Sequence, residues 1–204
     1  MSSLQKHSIP SFKLHSGKVI PLTLSYQVFG KALHEAPVVL VNHSLTGNSN
    51  VSGEEGWWSD IIGPKKLIDT EVYSVIAFNF PGNGFDDDFL TSYKDWILRD
   101  VSEAFKIALD ELGVSELFAA IGGSIGGALA WEMAVSHPHF IRNVIPIACH
   151  WEASETLFLL LVIGRLPIGF WQMSCSKTDC CTTPKTHLRM RAFTPCCVTE
   201  HHNL

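Results

Sequence analysis

The stretch Leu117-Phe118-Ala119-Ala120-Ile121-Gly122-Gly123-Ser124-Ile125-Gly126-Gly127-Ala128-Leu129-Ala130-Trp131-Glu132 decides the fold. It opens on Leu117 to Ile121, an uninterrupted apolar run of the kind buried on both faces of a sheet. It closes on Ala128 to Val135, helical in composition and ended by His137-Pro138. Between the two lies Gly-x-Ser-x-Gly at residues 122–126. A strand that reverses at once into a helix needs neighbours almost free of side chains, and it leaves Ser124 projecting above the sheet. The helix N-terminus behind the serine favours developing negative charge. Strand, motif and helix in this order read as a nucleophile elbow rather than as a glycine-rich turn without chemistry.

Similar units flank it. Val38 to Val41, opened by Pro37, Val72 to Phe80 and Asn143 to Ala148 are further short apolar runs. Trp96, Val101, Phe105, Ala108 and Leu112 recur at helical spacing, and Gly113 is a natural stop. Val19 to Phe29 has strand composition and can pair with Phe12 to Leu14 across Ser16-Gly17 as a hairpin. Strands alternating with helices predict an α/β fold, its sheet mostly parallel and covered by helices on both faces. His43-Ser44-Leu45-Thr46-Gly47 follows the Val38–Val41 strand directly. An elbow serine needs two backbone N–H groups aimed at the oxyanion. Ile125 is expected to give one and Leu45 the other.

Composition narrows the class. The chain has 204 residues, 46% hydrophobic and 17% charged, with a net charge of −5, which excludes a disordered chain and gives no broad basic field for nucleic acid. Residues 1–14 lack the apolar run of a secretory signal. The apolar run from Leu157 to Ile163 stops before Arg165 and Pro167, too short for a bilayer. A cytoplasmic protein with reduced thiols, without membrane or nucleic-acid partners, is the expectation.

Residues 8–154 resemble the homoserine O-acetyltransferases of the α/β-hydrolase superfamily. The resemblance rests on H-S-L-T-G-N-S at 43–49, W-W-S-D-I-I-G-P-K-K-L-I-D-T at 57–70 and G-G-S-I-G-G-A-L-A-W-E at 122–132. The middle segment is the most specific, since generic esterases do not share it. The resemblance implies an α/β-hydrolase fold and a transfer of acetyl from acetyl-CoA to the hydroxyl of L-homoserine, a step of methionine synthesis. It implies Ser124 as nucleophile, with Leu45 and Ile125 as the oxyanion hole. No metal or cofactor is implied beyond acetyl-CoA as co-substrate, and a homodimer stays open. One departure concerns the stretch after the Val72–Phe80 strand. Many members carry G-S-T-G-P there, where this chain reads Asn79-Phe80-Pro81-Gly82-Asn83-Gly84-Phe85-Asp86. Acyl donor (acetyl or succinyl) and acceptor (homoserine or serine) are therefore left open. A serine esterase of the same fold and a non-catalytic remnant are the competing readings.

The chain changes character near residue 154. Residues 1–154 carry 10 Lys/Arg against 17 Asp/Glu, whereas residues 155–204 carry 5 against 3 and hold five of the six cysteines. The elbow also wants an acid and then a histidine downstream, in that order. Glu132, Glu152, Glu155, Asp179 and Glu200 are the later acids, and His137, His139, His150, His187, His201 and His202 the later histidines. None stands in a family-like context. His137 and His139 read as surface residues at a helix end, and neither a triad acid nor a triad histidine is identified. Asp179 with His201 or His202 has the right order but no strand to carry it. The cysteines make a poor zinc site, lacking any C-x-x-C pair, and a disulfide framework conflicts with the compartment.

Translation out of frame accounts for this tail better. Read in the alternate frame, permitted codons from Arg189 to His202 can spell D-A-R-I-H-A-M-L-C-Y-R-T-P, which resembles a cap segment of the family. The expectation is an α/β-hydrolase domain over 1–154, truncated before its last strands. Residues 155–204 would be an atypical tail, and the chain would turn over little. The coding DNA tests the frame: a sequence from codon 189 onward unable to encode that peptide refutes it.

Overall fold

A computed structural model of the chain describes residues 2–87 and 95–149. A six-stranded sheet organises them. Strands β1 (Gln5–Lys13) and β2 (Val19–Gly30) form an antiparallel hairpin, as the Ser16-Gly17 turn predicts. Strand β3 is Val38–Asn42, and the short pair β4 (Ile62–Gly63) and β5 (Ile68–Asp69) stands apart as a two-stranded sheet. Then follow β6 (Ser74–Phe78), β7 (Ala119–Gly123) and β8 (Val144–Ile147). The order across the large sheet is β1-β2-β6-β3-β7-β8. Neighbours from β6 to β8 run parallel, and the hairpin joins antiparallel through β2. Every residue of β3 and β6 is buried, which is why both read as unbroken apolar runs.

Strand β1 starts well before the Phe12–Leu14 segment expected from sequence. Ile9 faces Leu22 while Phe12 faces Ile20, so a bulge falls at Pro10-Ser11. Proline has no N–H for the ladder, and the extra residue absorbs it.

Two helices are described, α1 (Leu98–Glu111) and α2 (Ile125–Ser136). Both pack on one face, where Val101, Phe105, Ala108, Leu129 and Met133 join Leu40, Ile76, Phe78 and Ala120 in one buried cluster. Over the other face, Val51, Ile62 and Ile68 pack against Val39, Val41, Val75, Ala77 and Ile121. Among the described residues it is therefore the 49–73 segment, not a helix, that covers this second face. Trp96 is not helical, although its spacing suggested it. It is fully buried and stacks on Phe12 with ring centroids 5.6 Å apart. The helix begins after it because the Asp100 carboxylate accepts the Ile97 N–H at 3.0 Å and holds His15 through its N–H at 2.7 Å and Nδ1 at 2.8 Å.

Candidate functional site

The register of the parallel strands builds the site. Asn42 at the end of β3 pairs with Gly122 near the end of β7, so the 43–49 loop and the Ser124 turn leave the sheet side by side. Ser124 is the N-cap of α2 and sits at φ 55°, ψ −121°. A left-handed φ is rare outside glycine and stores strain on a serine, which persists only where the surroundings over-determine it. They do so here. The Ser124 N–H donates to the Ile147 carbonyl at 2.9 Å, and its own carbonyl accepts from Gly127 at 3.0 Å and Ala128 at 3.1 Å.

The two flanking glycines of the motif are required by contact. A Cβ on Gly126 would overlap the Asn42 carbonyl and come within 2.6 Å of the His43 oxygen. A Cβ on Gly122 would overlap the Gly126 backbone. Helix α2 thus lies directly on the strand ends, starting at Ile125 and not at Ala128 as its composition suggested.

The loop before Leu45 is built around His43, which is fully buried. Its Nδ1 lies 2.6 Å from the Ser44 carbonyl, and its Nε2 accepts the Phe80 N–H at 3.0 Å. A carbonyl only accepts and an amide N–H only donates, so the ring is neutral with its proton on Nδ1. Burial pushes its pKa down to about 4, with the bond to Ser44 opposing in part. Farther along, Asn79 Oδ1 accepts the Ser49 N–H at 2.7 Å, and Asn79 Nδ2 donates to Ser25 Oγ at 2.8 Å and Ser49 Oγ at 3.0 Å. Ser49 Oγ donates to Gln27 Oε1 at 2.8 Å. Trp57 of the 57–70 segment donates Nε1–H to the Asn48 carbonyl at 2.8 Å. That segment therefore supports the loop that carries Leu45.

Ser124, Leu45 and Ile125 are all placed at this end of the sheet. The N–H groups of Leu45 and Ile125 meet no acceptor among the described residues. Sequence reading named the loop and the elbow but missed the network behind them. Its members lie far apart in the chain and carry no periodic signal; the polar Asn79 at the end of an apolar strand was the available hint.

The candidate triad partners fare differently. His137 caps the far end of α2, 12 residues long, so the helix separates it from Ser124 by about 18 Å. It is not a surface residue: its side chain is 12% exposed and stands 3.6 Å from Glu103. Burial lowers its pKa. His139 is exposed, as expected. Glu132 is buried and committed to Arg99 Nε at 3.0 Å and Ser136 Oγ at 3.0 Å. His150, Glu152, Glu155, Asp179, His187, Glu200, His201 and His202 lie outside the described residues, as does the whole 155–204 segment. Among the described residues no group of three His, Cys, Asp or Glu could hold a metal ion, and no helix is long and apolar enough to cross a membrane.

Comparison with known proteins points to one superfamily. Residues 37–172 match the family model described as the alpha/beta hydrolase fold. The homoserine O-acetyltransferase of Haloarcula marismortui is 34% identical over 183 residues, covering 79% of this chain and 45% of that protein. The crystal structure of homoserine O-acetyltransferase from Staphylococcus aureus superposes with a TM-score of 0.70 at 29% identity, covering 81% of this chain and 52% of the other. An acetylester hydrolase from Corynebacterium glutamicum superposes with a TM-score of 0.67 at 25% identity, covering 79% and 48%. The chain spans about half the length of the relatives it matches.

Proposed function

The chain belongs to the α/β-hydrolase-fold family, and from that premise we propose that it represents a homoserine O-acetyltransferase whose acyl-accepting group is Ser124. The observation that carries this reading is the strained φ of 55° at Ser124, at the N-terminus of α2 beside the 43–49 loop. A serine held there presents Oγ to a substrate, with the helix dipole and the N–H groups of Ile125 and Leu45 available for the oxyanion. Similarity to the curated homoserine O-acetyltransferases supports the choice of substrates.

In the proposed reaction Ser124 Oγ attacks the thioester carbonyl of acetyl-CoA. The tetrahedral intermediate collapses with loss of the CoA thiol, leaving acetyl on Ser124. The hydroxyl of L-homoserine then attacks the ester, releasing O-acetylhomoserine and restoring the serine. Transfer in place of hydrolysis requires water to be kept from the acyl-enzyme. No histidine is bonded to Ser124 among the described residues, so deprotonation of Ser124 is expected to limit the rate, and little turnover is expected. The setting proposed is the cytoplasm, with acetyl-CoA as a co-substrate and no bound cofactor.

A serine acetylesterase is the second reading, favoured by the structural similarity to the acetylester hydrolase. One experiment separates the readings. The chain is incubated with acetyl-CoA, with and without homoserine, and followed by mass spectrometry of the Ser124 peptide and of the products. Acetyl on that peptide, absent in Ser124→Ala and converted to O-acetylhomoserine on adding the amino acid, supports the transferase. Ser124-dependent acetyl release from a small ester supplied in a parallel reaction, with no transfer to homoserine, supports the esterase. Absence of Ser124-dependent reaction with both acetyl-CoA and the small ester overturns both and leaves a non-catalytic protein.

A further inference from the structure

Resting on the reading of the 43–49 loop as half of an oxyanion hole, we propose that His43 is a positioning residue that fixes the Leu45 N–H by bridging the Ser44 carbonyl to the Phe80 N–H. The His43 backbone lies beside the Ser124 turn, its oxygen 2.6 Å from where a Cβ on Gly126 would sit, and an imidazole in that loop invites the role of general base. The geometry excludes that role. Nδ1 is spent on the Ser44 carbonyl at 2.6 Å, and Nε2 on the Phe80 N–H at 3.0 Å. A base needs a free lone pair aimed at the serine, and this ring has none to offer. Its two bonds do something else.

Ser44 immediately precedes Leu45, so the bond to the Ser44 carbonyl fixes the peptide plane whose other end is the Leu45 N–H. The same carbonyl accepts the Gly47 N–H at 2.9 Å, closing the turn around Leu45. The turn is wrapped onto the imidazole itself: a Cβ on Gly47 would come within 2.9 Å of His43 Cβ. The ring also lies against Phe80, centroids 4.3 Å apart, and Phe80 belongs to the chain leaving β6. His43 therefore ties the loop after β3 to the loop after β6. A second tie runs parallel to it, from Asn83 Nδ2 to the Gly47 carbonyl at 3.4 Å and to Asn79 Oδ1 at 3.2 Å. Preorganised donors cost no reorganisation at the moment of reaction, and this clamp supplies the preorganisation.

Two substitutions divide the ring's two bonds. His43→Asn places an amide near the position of Nδ1 and keeps the Ser44 bond, but falls short of Phe80. His43→Gln reaches farther and offers Oε1 to the Phe80 N–H. The full chain is used. Amide exchange at Phe80 and Gly47, the nitrogen-15 shifts of the His43 ring, the midpoint of thermal unfolding and the rate of Ser124 acetylation by acetyl-CoA are measured. The wild-type ring is expected as the neutral Nδ1–H tautomer at pH 7. His43→Asn is expected to lose Phe80 protection and to slow acetylation by about 10- to 100-fold, and His43→Gln to recover most of both at an equal midpoint. An Nε2–H tautomer or an imidazolium at pH 7 overturns the clamp. So does an acetylation rate in His43→Asn equal to wild type once Phe80 protection is gone. If the wild type takes no acetyl at all, the acyltransfer reading fails, while tautomer and amide protection still decide whether the clamp exists.

Discussion

Gly126→Ala is expected to cost about 3 kcal/mol or more of folding stability, whereas Gly123→Ala changes it by about 0.5 kcal/mol or less. Both glycines belong to the same motif, and the contrast comes from what surrounds them. A methyl on Gly126 meets the Asn42 carbonyl and, within 2.6 Å, the His43 oxygen. Both are backbone of a buried strand end that cannot step aside without breaking the β3–β7 ladder. A methyl on Gly123 meets nothing within 4 Å. Small domains hold about 5–15 kcal/mol in reserve, so the first substitution takes a large part of it. Urea titrations of the two variants beside wild type check the expectation. Equal midpoints would mean that α2 does not rest on the strand ends as described. Ser124 also loses its scaffold in Gly126→Ala, so any acetylation should fall with the fold, while Gly123→Ala keeps the elbow geometry.

The second large effect is acid sensitivity set by His43. Its pKa falls from an ordinary 6.5 in the unfolded chain to about 4 in the fold, because burial disfavours the imidazolium. Between those values the unfolded chain binds the proton and the native chain does not. The contribution is therefore complete above about pH 6.5, declines as pH falls and levels off below about pH 4. The span corresponds to about 3 kcal/mol. Protonation would also put a hydrogen on Nε2, facing the Phe80 N–H, so the loop loses its tie as the fold loses stability. Unfolding free energies measured from pH 7 to pH 4 should drop by about this amount in wild type. The drop should be much smaller in His43→Gln, which has nothing to titrate at that position. His137, whose pKa burial also lowers, adds to the decline in the same direction and is common to both proteins.

Much of the fold was legible because its signals are local. The apolar runs at 38–41, 72–80, 117–121 and 143–148 announced the parallel strands, and the glycines around Ser124 announced the turn between β7 and α2. Where the structure departs from those readings, a longer-range contact decided. Trp96 fits a helical spacing, yet the Asp100 carboxylate ends the helix at Ile97, and the indole is used against Phe12 instead. Strand β1 has little apolar character because only Ile9 and Phe12 in it are buried, and Pro10 argues against a strand until its bulge is seen. In the site, Leu45, Ser124 and Ile125 follow from motif and context. The roles of His43 and Asn79 do not, since each bonds to a neighbouring strand or its outgoing loop at a residue distant in sequence, Phe80 for His43 and Ser25 for Asn79.

Among the described residues the six-stranded sheet is bounded by β1 on one side and β8 on the other. Each bounding strand contains a proline, Pro10 in β1 and Pro146 in β8. Along β8 and the residue before it, the carbonyls of Asn143 and Ile147 accept the Ala120 and Ser124 N–H groups, so the alternation turns position 146 outward. An incoming strand would find a missing donor there and a bulge on the opposite side. Neither bounding strand, among the described residues, offers a regular template on which copies of the sheet could stack edge to edge. Among the described residues the ladder thus carries, on both bounding strands, a brake on fibrous self-association that operates whether or not Ser124 ever takes an acyl group.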